Sequence, residues 1–316
     1  MIILGVESSA HTFGIGITDG KKLLVSERDS YKGVHGIIPV DAAKHHREVA
    51  KTVLHKALEK AKLSLKDIDK VAFASGPGLP PCLMAGKEFA ESLKKPIIPV
   101  NHCVAHIEIG RFMLGAKDPL TIYVSGGNSQ ILGYEDGRYR VYGETLDIGV
   151  GNALDKFARS VGIGSPGGPE IEKIAKEGKH YIELPYSVKG MDFVFSGLAT
   201  AAEQKVGKVK KEDLVYSFQE TAFSMITEAT ERALAHTKKK EVLMGGGVAA
   251  NKRLQEMIKT MAEDHGAKFY CPDVHYCGDQ GGMIAVLGYL VNKPEKKWNI
   301  NPRWRSDDVE VTWIKD

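Results

Sequence analysis

The 316-residue chain contains no uninterrupted apolar run of the about 18 residues that a membrane-spanning helix needs, although 43% of its residues are hydrophobic. The sequence therefore predicts no membrane span. The chain begins directly with an apolar strand, without the charged and apolar regions of a leader, which predicts that it has no signal peptide. We therefore expect a cytoplasmic protein.

Cysteine is scarce, and its four residues are Cys82, Cys103, Cys271 and Cys277. They do not form the closely spaced pairs of a structural zinc site. Cysteines without a secretion signal are typical of a reducing compartment, where they stay as thiols.

Excess charge is also small, since 43 Lys and Arg against 40 Asp and Glu give a net charge of +3. That value does not by itself predict nucleic-acid binding. Two local basic runs occur, at 205–211 and 238–240. The simpler interpretation of both runs is solvated helix ends, with a binding surface as the alternative.

The chain reads as two similar halves. Each begins with two apolar strands, an Asp-Gly turn and a third strand, and the turns are Asp19-Gly20 and Asp136-Gly137. Asp-Gly between alternating apolar runs predicts a hairpin. Each half continues with a helix, a buried strand ending in glycines, a helix, a short strand and a final helix. This internal repeat predicts two domains, 1–117 and 118–316, with a largely helical insert at about 159–213 in the second.

Two α/β halves of this order form the architecture of the actin, hexokinase and Hsp70 ATPase (ASKHA) group. We therefore predict an α/β fold with two duplicated ATPase-type domains facing a nucleotide and metal cleft. In such folds the first hairpin turn of each half holds phosphates, and the candidate turns here are Glu7-Ser8-Ser9 and Ser125-Gly126-Gly127-Asn128. Glycine lets backbone amides approach phosphate closely, so the second turn is the better candidate.

His102 and His106 are four residues apart on the predicted final helix of the first half, so their side chains share one face. Such a pair also arises by chance. Asp279 begins the corresponding helix of the second half, and facing helices would bring this carboxylate to the histidines. The three side chains therefore predict a metal site. Because Cys103 follows His102, the HExxH motif of thermolysin-type proteases is absent.

Several residues of the second half suggest a nucleotide site. Three glycines at 245–247 end a buried strand shortly before Asn251, which predicts close approach of adenine or ribose, whereas a tight turn needs only one glycine. Gly168 and Glu172 follow a Gly-Pro-rich turn that is able to frame a ribose. Asp155 reads either as a ribose ligand or as an exposed helix carboxylate, and Tyr123 either as a strand residue or as a metal ligand.

The glycine run 162–167 matches G-x-G-x-x-G in its letters. No strand precedes it and a proline interrupts it, so a dinucleotide site is rejected.

Eight segments together resemble the tRNA threonylcarbamoyl transferase family, in its archaeal and eukaryotic branch, the catalytic subunit of the KEOPS complex. An older name for this family is O-sialoglycoprotein endopeptidase. The resemblance extends from residue 4 to about residue 285 and is carried by LGVESSAHTFGIGI, SGPGLPPCLMAG, PVNHCVAHIEIG, YVSGGNSQIL, LDKFARSVGIGSPGGPEIE, DFVFSGLATA, GGGVAANKRL and YCGDQGGMIA.

The resemblance implies that His102, His106 and Asp279 bind one iron or zinc ion, with Tyr123 as an added ligand. It also implies binding of ATP or an adenylate by a set of residues in the second half: Tyr123, Val124, Ser125, Gly126, Gly127, Asp155, Gly168, Glu172 and Asn251. Gln280 and Ser129 stand where many members have Asn and Thr, and neither difference removes a ligand.

The implied reaction is metal-assisted transfer of threonylcarbamoyl from threonylcarbamoyl-AMP to the exocyclic amine of the adenosine 3′ of the anticodon, in tRNAs reading A-starting codons. Glu7 and His11 are candidates for handling the amine proton. The implied partners are the small KEOPS protein kinase, other small KEOPS subunits, and tRNA bound through the complex. The alternatives are a metalloprotease, which lacks its glutamate base here, and an ASKHA-type kinase, whose Mg²⁺ prefers oxygen ligands.

Overall fold

A computed structural model describes residues 1–33, 36–164 and 166–314 of the chain. The backbone divides into two compact units. Unit 1 comprises Met1–Met113, Glu135–Tyr139 and the segment that begins at Asp279, and unit 2 comprises Leu114–Tyr134 and Arg140–Gly278. In the described part of the chain, no helix is both long and apolar enough to cross a membrane.

Unit 1 is built on a five-stranded sheet of order β3-β2-β1-β4-β5, in which β1 is antiparallel to β2 and parallel to β4. Its elements are β1 (Ile3–Glu7), β2 (Thr12–Thr18), β3 (Leu23–Ser30), α1 (Pro39–Ala61), β4 (Lys70–Gly76), α2 (Pro80–Ser92), β5 (Ile97–Asn101), α3 (His102–Leu114) and α10 (Gly281–Val291).

Glycines allow α10 to lie directly on β1 and β2. A Cβ added at Gly5 would lie 2.1 Å from the backbone nitrogen of Ala285, and one added at Gly16 would lie 2.2 Å from that of Gly282. Any side chain at these positions would push the helix off the sheet. Asp279 precedes α10 by two residues, so this close approach fixes where its carboxylate lies.

The second sheet has the order β12-β11-β6-β7-β8. The remaining elements are β6 (Leu120–Val124), β7 (Ser129–Glu135), β8 (Arg138–Glu144), α4 (Val150–Ser160), α5 (Gly168–Ala175), β9 (Val188–Lys189), β10 (Asp192–Phe193), α6 (Ser196–Lys205), α7 (Lys211–Thr237), β11 (Glu241–Gly245), α8 (Lys252–Asp264), β12 (Lys268–Tyr270) and α9 (Val274–Cys277). Apolar side chains bury α7 in the core of unit 2, where Phe157 of α4 stacks on Phe218 of α7 with ring centroids 4.3 Å apart.

The two sheets repeat one topology, because each places its first three strands in antiparallel order and then adds its fourth and fifth strands beside the first. The predicted α/β repeat is therefore confirmed. The compact units do not follow the sequence halves, since α10 ends the second half but packs with unit 1. The bounds of the two predicted domains, 1–117 and 118–316, stay a prediction.

The local predictions differ from the structure mainly at element ends. The Asp136-Gly137 turn is a two-residue hairpin with φ of 51° and 77°, as predicted. The first helix of the second half, for which the apolar pattern predicts a start at Tyr216, begins earlier, at Lys211, because Glu212 and Asp213 favour a helix N-terminus there. The insert contains α5, the short β9–β10 hairpin and α6, and Ser165 in the rejected glycine run lies outside the described residues.

His46 on α1 is fully buried and supports the turn between β1 and β2. Its Nε2 donates to the carbonyl of Ala10 at 3.0 Å, and its ring packs on Phe13 with centroids 5.8 Å apart. Burial lowers the pKa of His46 from 6.5 to about 4, and the hydrogen bond to Ala10 only partly opposes this. The imidazole is therefore neutral at physiological pH.

This burial predicts an acid-sensitive fold. The unfolded chain takes up the His46 proton near pH 6.5 and the folded chain only near pH 4, so the unfolded state binds more protons between these values. The contribution of neutral His46 to the free energy of unfolding is fully present above pH 6.5, and about 3 kcal/mol of it is lost as the pH falls toward 4. Denaturant unfolding from pH 4 to 7 measures it. His46→Gln should flatten the profile, whereas the exposed control His55→Gln should not.

Candidate metal and nucleotide sites

Helix α3 presents two histidines from one face. It starts directly after β5, where the side-chain oxygen of Asn101 accepts the amide of Val104 at 3.0 Å and caps the first turn. His102 and His106 follow one turn apart, with ring centroids separated by 4.8 Å. They are only 7% and 1% exposed, so both imidazoles are withdrawn from bulk water.

Asp279 reaches both histidines within unit 1. Its Oδ1 lies 3.1 Å from Nε2 of His106 and 3.5 Å from Nε2 of His102. One ligand atom from each of the three residues lies within 4.8 Å of the others. The structure therefore brings together the three side chains that the sequence singled out.

Glu7 holds His102 from behind. The Nδ1 of His102 donates to Oε2 of Glu7 at 2.9 Å, while Oε1 of Glu7 accepts the amide of Ser9 at 2.6 Å. With its proton on Nδ1, a neutral His102 directs the lone pair of Nε2 toward Asp279. A carboxylate behind a histidine is the usual support of a metal ligand, because it fixes the tautomer and the ring orientation.

The electrostatics favour a cation at this point. Burial disfavours a charged His102, but the carboxylates of Glu7 and Asp279 outweigh it and raise the pKa of His102 to about 9. Burial raises the pKa of Asp279, yet His102 and His106 lower it well below its usual range. Burial lowers the pKa of His106. A metal ion bound here would replace the His102 proton as the positive charge between two carboxylates.

The donor set fits a transition metal. Two imidazole nitrogens and one carboxylate oxygen suit zinc or ferrous iron, and they leave coordination positions open for a substrate. Magnesium would require mainly oxygen ligands. His102, His106 and Asp279 therefore fit one such ion.

His11 and Tyr123, both predicted site residues, have different surroundings. His11 is half-buried in the turn between β1 and β2, within electrostatic range of Asp279. Tyr123 lies on β6 in unit 2 and is 1% exposed, opposite Gly245 of β11. Its role as an added metal ligand stays a prediction.

The sequence reasoning missed a second buried carboxylate on α3. The Oε1 of Glu108 accepts hydrogen bonds from Tyr139 at 2.5 Å, from Arg111 at 3.0 Å and from the indole of Trp313 at 2.8 Å. Glu108 is 2% exposed, so its charge requires these donors. The network restrains the helix that carries the histidines. A glutamate within an otherwise apolar helical run was the available signal.

The glycine turn between β6 and β7 is tightly supported within unit 2. The amide of Ser125 donates to the carbonyl of Asn128 at 2.8 Å, and the amide of Gly151 at the start of α4 donates to the carbonyl of Ser125 at 3.1 Å. Gly126 and Gly127 are exposed at the tip of this turn, directly after Val124. Their position is compatible with amides that receive a phosphate.

Glu172 and Asn251 meet beside α8. Glu172 accepts the amide of Lys252 at 3.0 Å. The side-chain oxygen of Asn251 caps α8 by accepting the amide of Arg253 at 2.9 Å, and its nitrogen donates to Gln219 at 3.1 Å. A cavity of about 510 Å³ lies here, lined by residues that include Glu172, Gln219, Lys252 and Arg253. Glu172 thus lines a cavity of suitable size, and Asn251 is bonded to Gln219 in the lining of that cavity.

Asp155 of α4 and Gly168, the first residue of α5, lie on either side of the turn between these helices. One oxygen of Asp155 accepts the amide of Gly167 at 2.7 Å, so the carboxylate is half-buried and not the exposed helix carboxylate of the simpler interpretation.

Gly246 has a structural reason to be glycine, since its φ is +89° and an added Cβ would lie 2.3 Å from the carbonyl oxygen of Val124. Gly247 has open space at that position.

Known proteins resemble this chain over its whole length. The family whose sequence model matches it is described as tRNA N6-adenosine threonylcarbamoyltransferase, and the match covers residues 22–286. Proteins of that name from Thermococcus sibiricus and Thermococcus kodakarensis are 52% and 53% identical, with 99% of this chain and 100% of each relative covered. A "probable bifunctional tRNA threonylcarbamoyladenosine biosynthesis protein" of Methanosarcina mazei is 51% identical, and this chain spans 60% of its length.

Solved structures share the fold at low sequence identity. HypF of T. kodakarensis gives a TM-score of 0.65 at 16% identity, with 92% of this chain and 48% of that chain covered. The ROK hexokinase of Thermus thermophilus gives 0.53 at 14% identity, covering 92% of this chain and 99% of that one. These neighbours confirm the predicted ASKHA-type fold.

The donor set predicts that the purified protein binds one transition-metal ion. His106→Ala removes one of three ligands and should lower the metal content severalfold after dialysis, because a two-ligand site holds an ion far more weakly. Elemental analysis measures the ratio of metal to protein. The matched control is His55→Ala, an exposed histidine on α1. Equal metal content in the wild type and in His106→Ala would contradict the site.

Proposed function

Because the chain belongs to the tRNA N6-adenosine threonylcarbamoyltransferase family, we propose that it transfers threonylcarbamoyl from threonylcarbamoyl-AMP to tRNA. The acceptor is the exocyclic amine of the adenosine 3′ of the anticodon, in tRNAs that read A-starting codons. The observation that carries the proposal is the convergence of His102, His106 and Asp279, the residues that the resemblance implies as metal ligands.

His102, His106 and Asp279 would hold one iron or zinc ion, with Tyr123 as a further proposed ligand. When bound, the metal supplies a Lewis acid that neutralises charge developing on the phosphate leaving group and polarises the carbonyl. Glu7 orients His102 through Nδ1 and keeps Nε2 available for the ion. The network of Glu108 restrains α3, so both histidines keep their separation.

Unit 2 would bind the adenylate. The exposed Gly126-Gly127 turn is proposed to receive the phosphate, and Asp155 and Glu172 to accept ribose hydroxyls, each of them already oriented by a backbone amide. Asn251 uses both ends of its side chain within the protein, so it contributes by holding the start of α8. Rigid placement of the donor converts binding energy into correct orientation of the reacting carbonyl.

The chemical step needs an acceptor for one proton. The amine nitrogen attacks the carbamoyl carbon, the bond from this carbon to the phosphate oxygen breaks, and AMP leaves with the electron pair. The amine then loses a proton. Glu7 is fully buried between His102 and Ser9, which suits it to orientation. His11 is half-buried in the same turn, and we assign the proton to its imidazole.

The alternatives have weaker support. A metalloprotease needs a glutamate base beside its metal histidines, whereas both oxygens of Glu7 accept hydrogen bonds, from Nδ1 of His102 and from the amide of Ser9. The hexokinase and HypF neighbours are under 25% identical and share the fold alone. The names of the full-length relatives support the transferase.

The longer relatives suggest how the protein works with partners. The bifunctional relative of Methanosarcina mazei carries further chain beyond the part that matches here. We propose that a small protein kinase and the other small KEOPS subunits act with this protein, that tRNA is bound in that complex, and that the reaction takes place in the cytoplasm.

Adenylate binding should depend on Asp155. Asp155→Asn preserves an oxygen for the amide of Gly167 but removes the negative charge, so the local fold is retained. Loss of a hydrogen bond to a charged group predicts about 10-fold weaker AMP binding. Isothermal calorimetry measures it, with the exposed Asp264→Asn as the control. Unchanged affinity in Asp155→Asn would place the ribose elsewhere.

The transfer reaction is tested with labelled threonine, a donor-forming enzyme and an unmodified tRNA that reads A-starting codons. His106→Ala should reduce incorporation into tRNA at least about 100-fold, since it removes one protein ligand from the Lewis-acid site. His55→Ala should retain wild-type incorporation. Two outcomes would contradict the proposed function. One is incorporation by the wild type into tRNAs irrespective of the residue 3′ of the anticodon. The other is no incorporation by the wild type even when the proposed partner subunits are present.

A further inference from the structure

Two lysine-containing segments of unit 2 lie side by side. The carboxylate of Asp213, in the first turn of α7, accepts the amide of Lys179 at 2.8 Å and that of His180 at 3.1 Å. Gly178 packs against the same turn, since a Cβ added there would lie 2.4 Å from the Cβ of Tyr216. Residues 176–180 are therefore fixed to the start of α7, whose first residue, Lys211, is the last of the lysine run 205–211.

The side chains on these two segments form one exposed cationic area, which we call the basic surface and define as residues 176–180 and 205–211. Its exposed lysines are Lys176, Lys179, Lys208, Lys210 and Lys211. Of these five lysines, only Lys210 has a carboxylate of the described residues within 4.0 Å, that of Glu212 at 3.8 Å. Asp213 is 6% exposed and occupied by backbone amides. The nearby carboxylates of Glu177 and Glu212 are outnumbered by these lysines, so the basic surface keeps a net positive charge.

The basic surface also reaches the cavity beside Glu172. Lys176 and Gly178 line that cavity together with Glu172 and Arg253. A polyanion lying along the lysines would therefore pass the proposed adenylate residues of the same unit. Val206 and Val209, 36% and 37% exposed, add apolar contact area between the lysines.

We propose that the basic surface binds the phosphate backbone of tRNA. The proposal rests on the proposed function, and it names the part of this chain that contacts the polynucleotide substrate. Exposed lysines that neutralise closely spaced phosphates release the counterions condensed on them, which is the main source of affinity for nucleic acid. A chain of low net charge thus gains tRNA affinity from a local concentration of lysines.

The test compares two charge-matched triple variants of the full chain, each retaining side chains of similar length. Lys208→Gln/Lys210→Gln/Lys211→Gln alters the basic surface. Lys51→Gln/Lys56→Gln/Lys66→Gln alters exposed lysines of unit 1. Binding of unmodified tRNA is measured by fluorescence anisotropy from 50 to 200 mM salt, alone and with the proposed partner subunits. The first variant should bind about 10-fold more weakly near 100 mM salt, and the slope of log K against log salt should fall by about 2.

Two further measurements separate this proposal from the proposed function. Metal content and AMP affinity should equal those of the wild type in both variants, because neither alters a ligand. Tight tRNA binding by the basic-surface variant, or equal losses in both variants, would overturn the proposal while leaving transfer by the wild type untouched. Loss of binding to a partner protein with unchanged tRNA affinity would overturn it as well, and would identify a protein-docking surface instead.

Discussion

The close approach of α10 to β1 and β2 is the constraint on which the metal site depends. Gly5 and Gly16 on the sheet face backbone atoms of the helix at distances that exclude any side chain. The guanidinium of Arg28 also donates to the carbonyl of Asp279 at 3.1 Å. With α10 held on the sheet, the carboxylate of Asp279, a residue far along the chain, lies 3.1 Å from His106.

The same contact explains why the compact units and the sequence repeat divide the chain differently. The repeat is visible in sequence because each half reproduces its hairpin, its glycine-ended strand and its strand order. The sheet against which α10 packs is instead decided by the shape of the two contacting surfaces. Gly281 and Gly282 lie in the first turn of the predicted final helix, and in the structure they are the surface by which α10 meets the sheet.

The fold class and the three proposed ligand residues could be predicted from the sequence, because histidine spacing and the repeat report on helix faces directly. The support of those residues could not. Glu7 reads as part of a phosphate turn, and only the tertiary structure places its carboxylate 2.9 Å from Nδ1 of His102. Glu108 and Trp313 are similarly far apart in sequence, and nothing local in either indicates the hydrogen bond between them. Side-chain contacts of this kind depend on tertiary packing, and tertiary packing leaves no periodic pattern in the sequence.

Charge shows the same division between composition and structure. A net charge of +3 describes the whole chain but not its surface, since charges act over about 10 Å at ordinary salt. At the candidate metal site, the carboxylates of Glu7 and Asp279 raise the pKa of His102 to about 9, although no acidic run is present in sequence there. On α7, Asp213 is occupied by backbone amides, so the lysines beside it keep their charge available to solvent. A carboxylate that accepts hydrogen bonds from backbone amides is thus not available to pair with neighbouring lysines, and those lysines remain free to bind an anionic ligand.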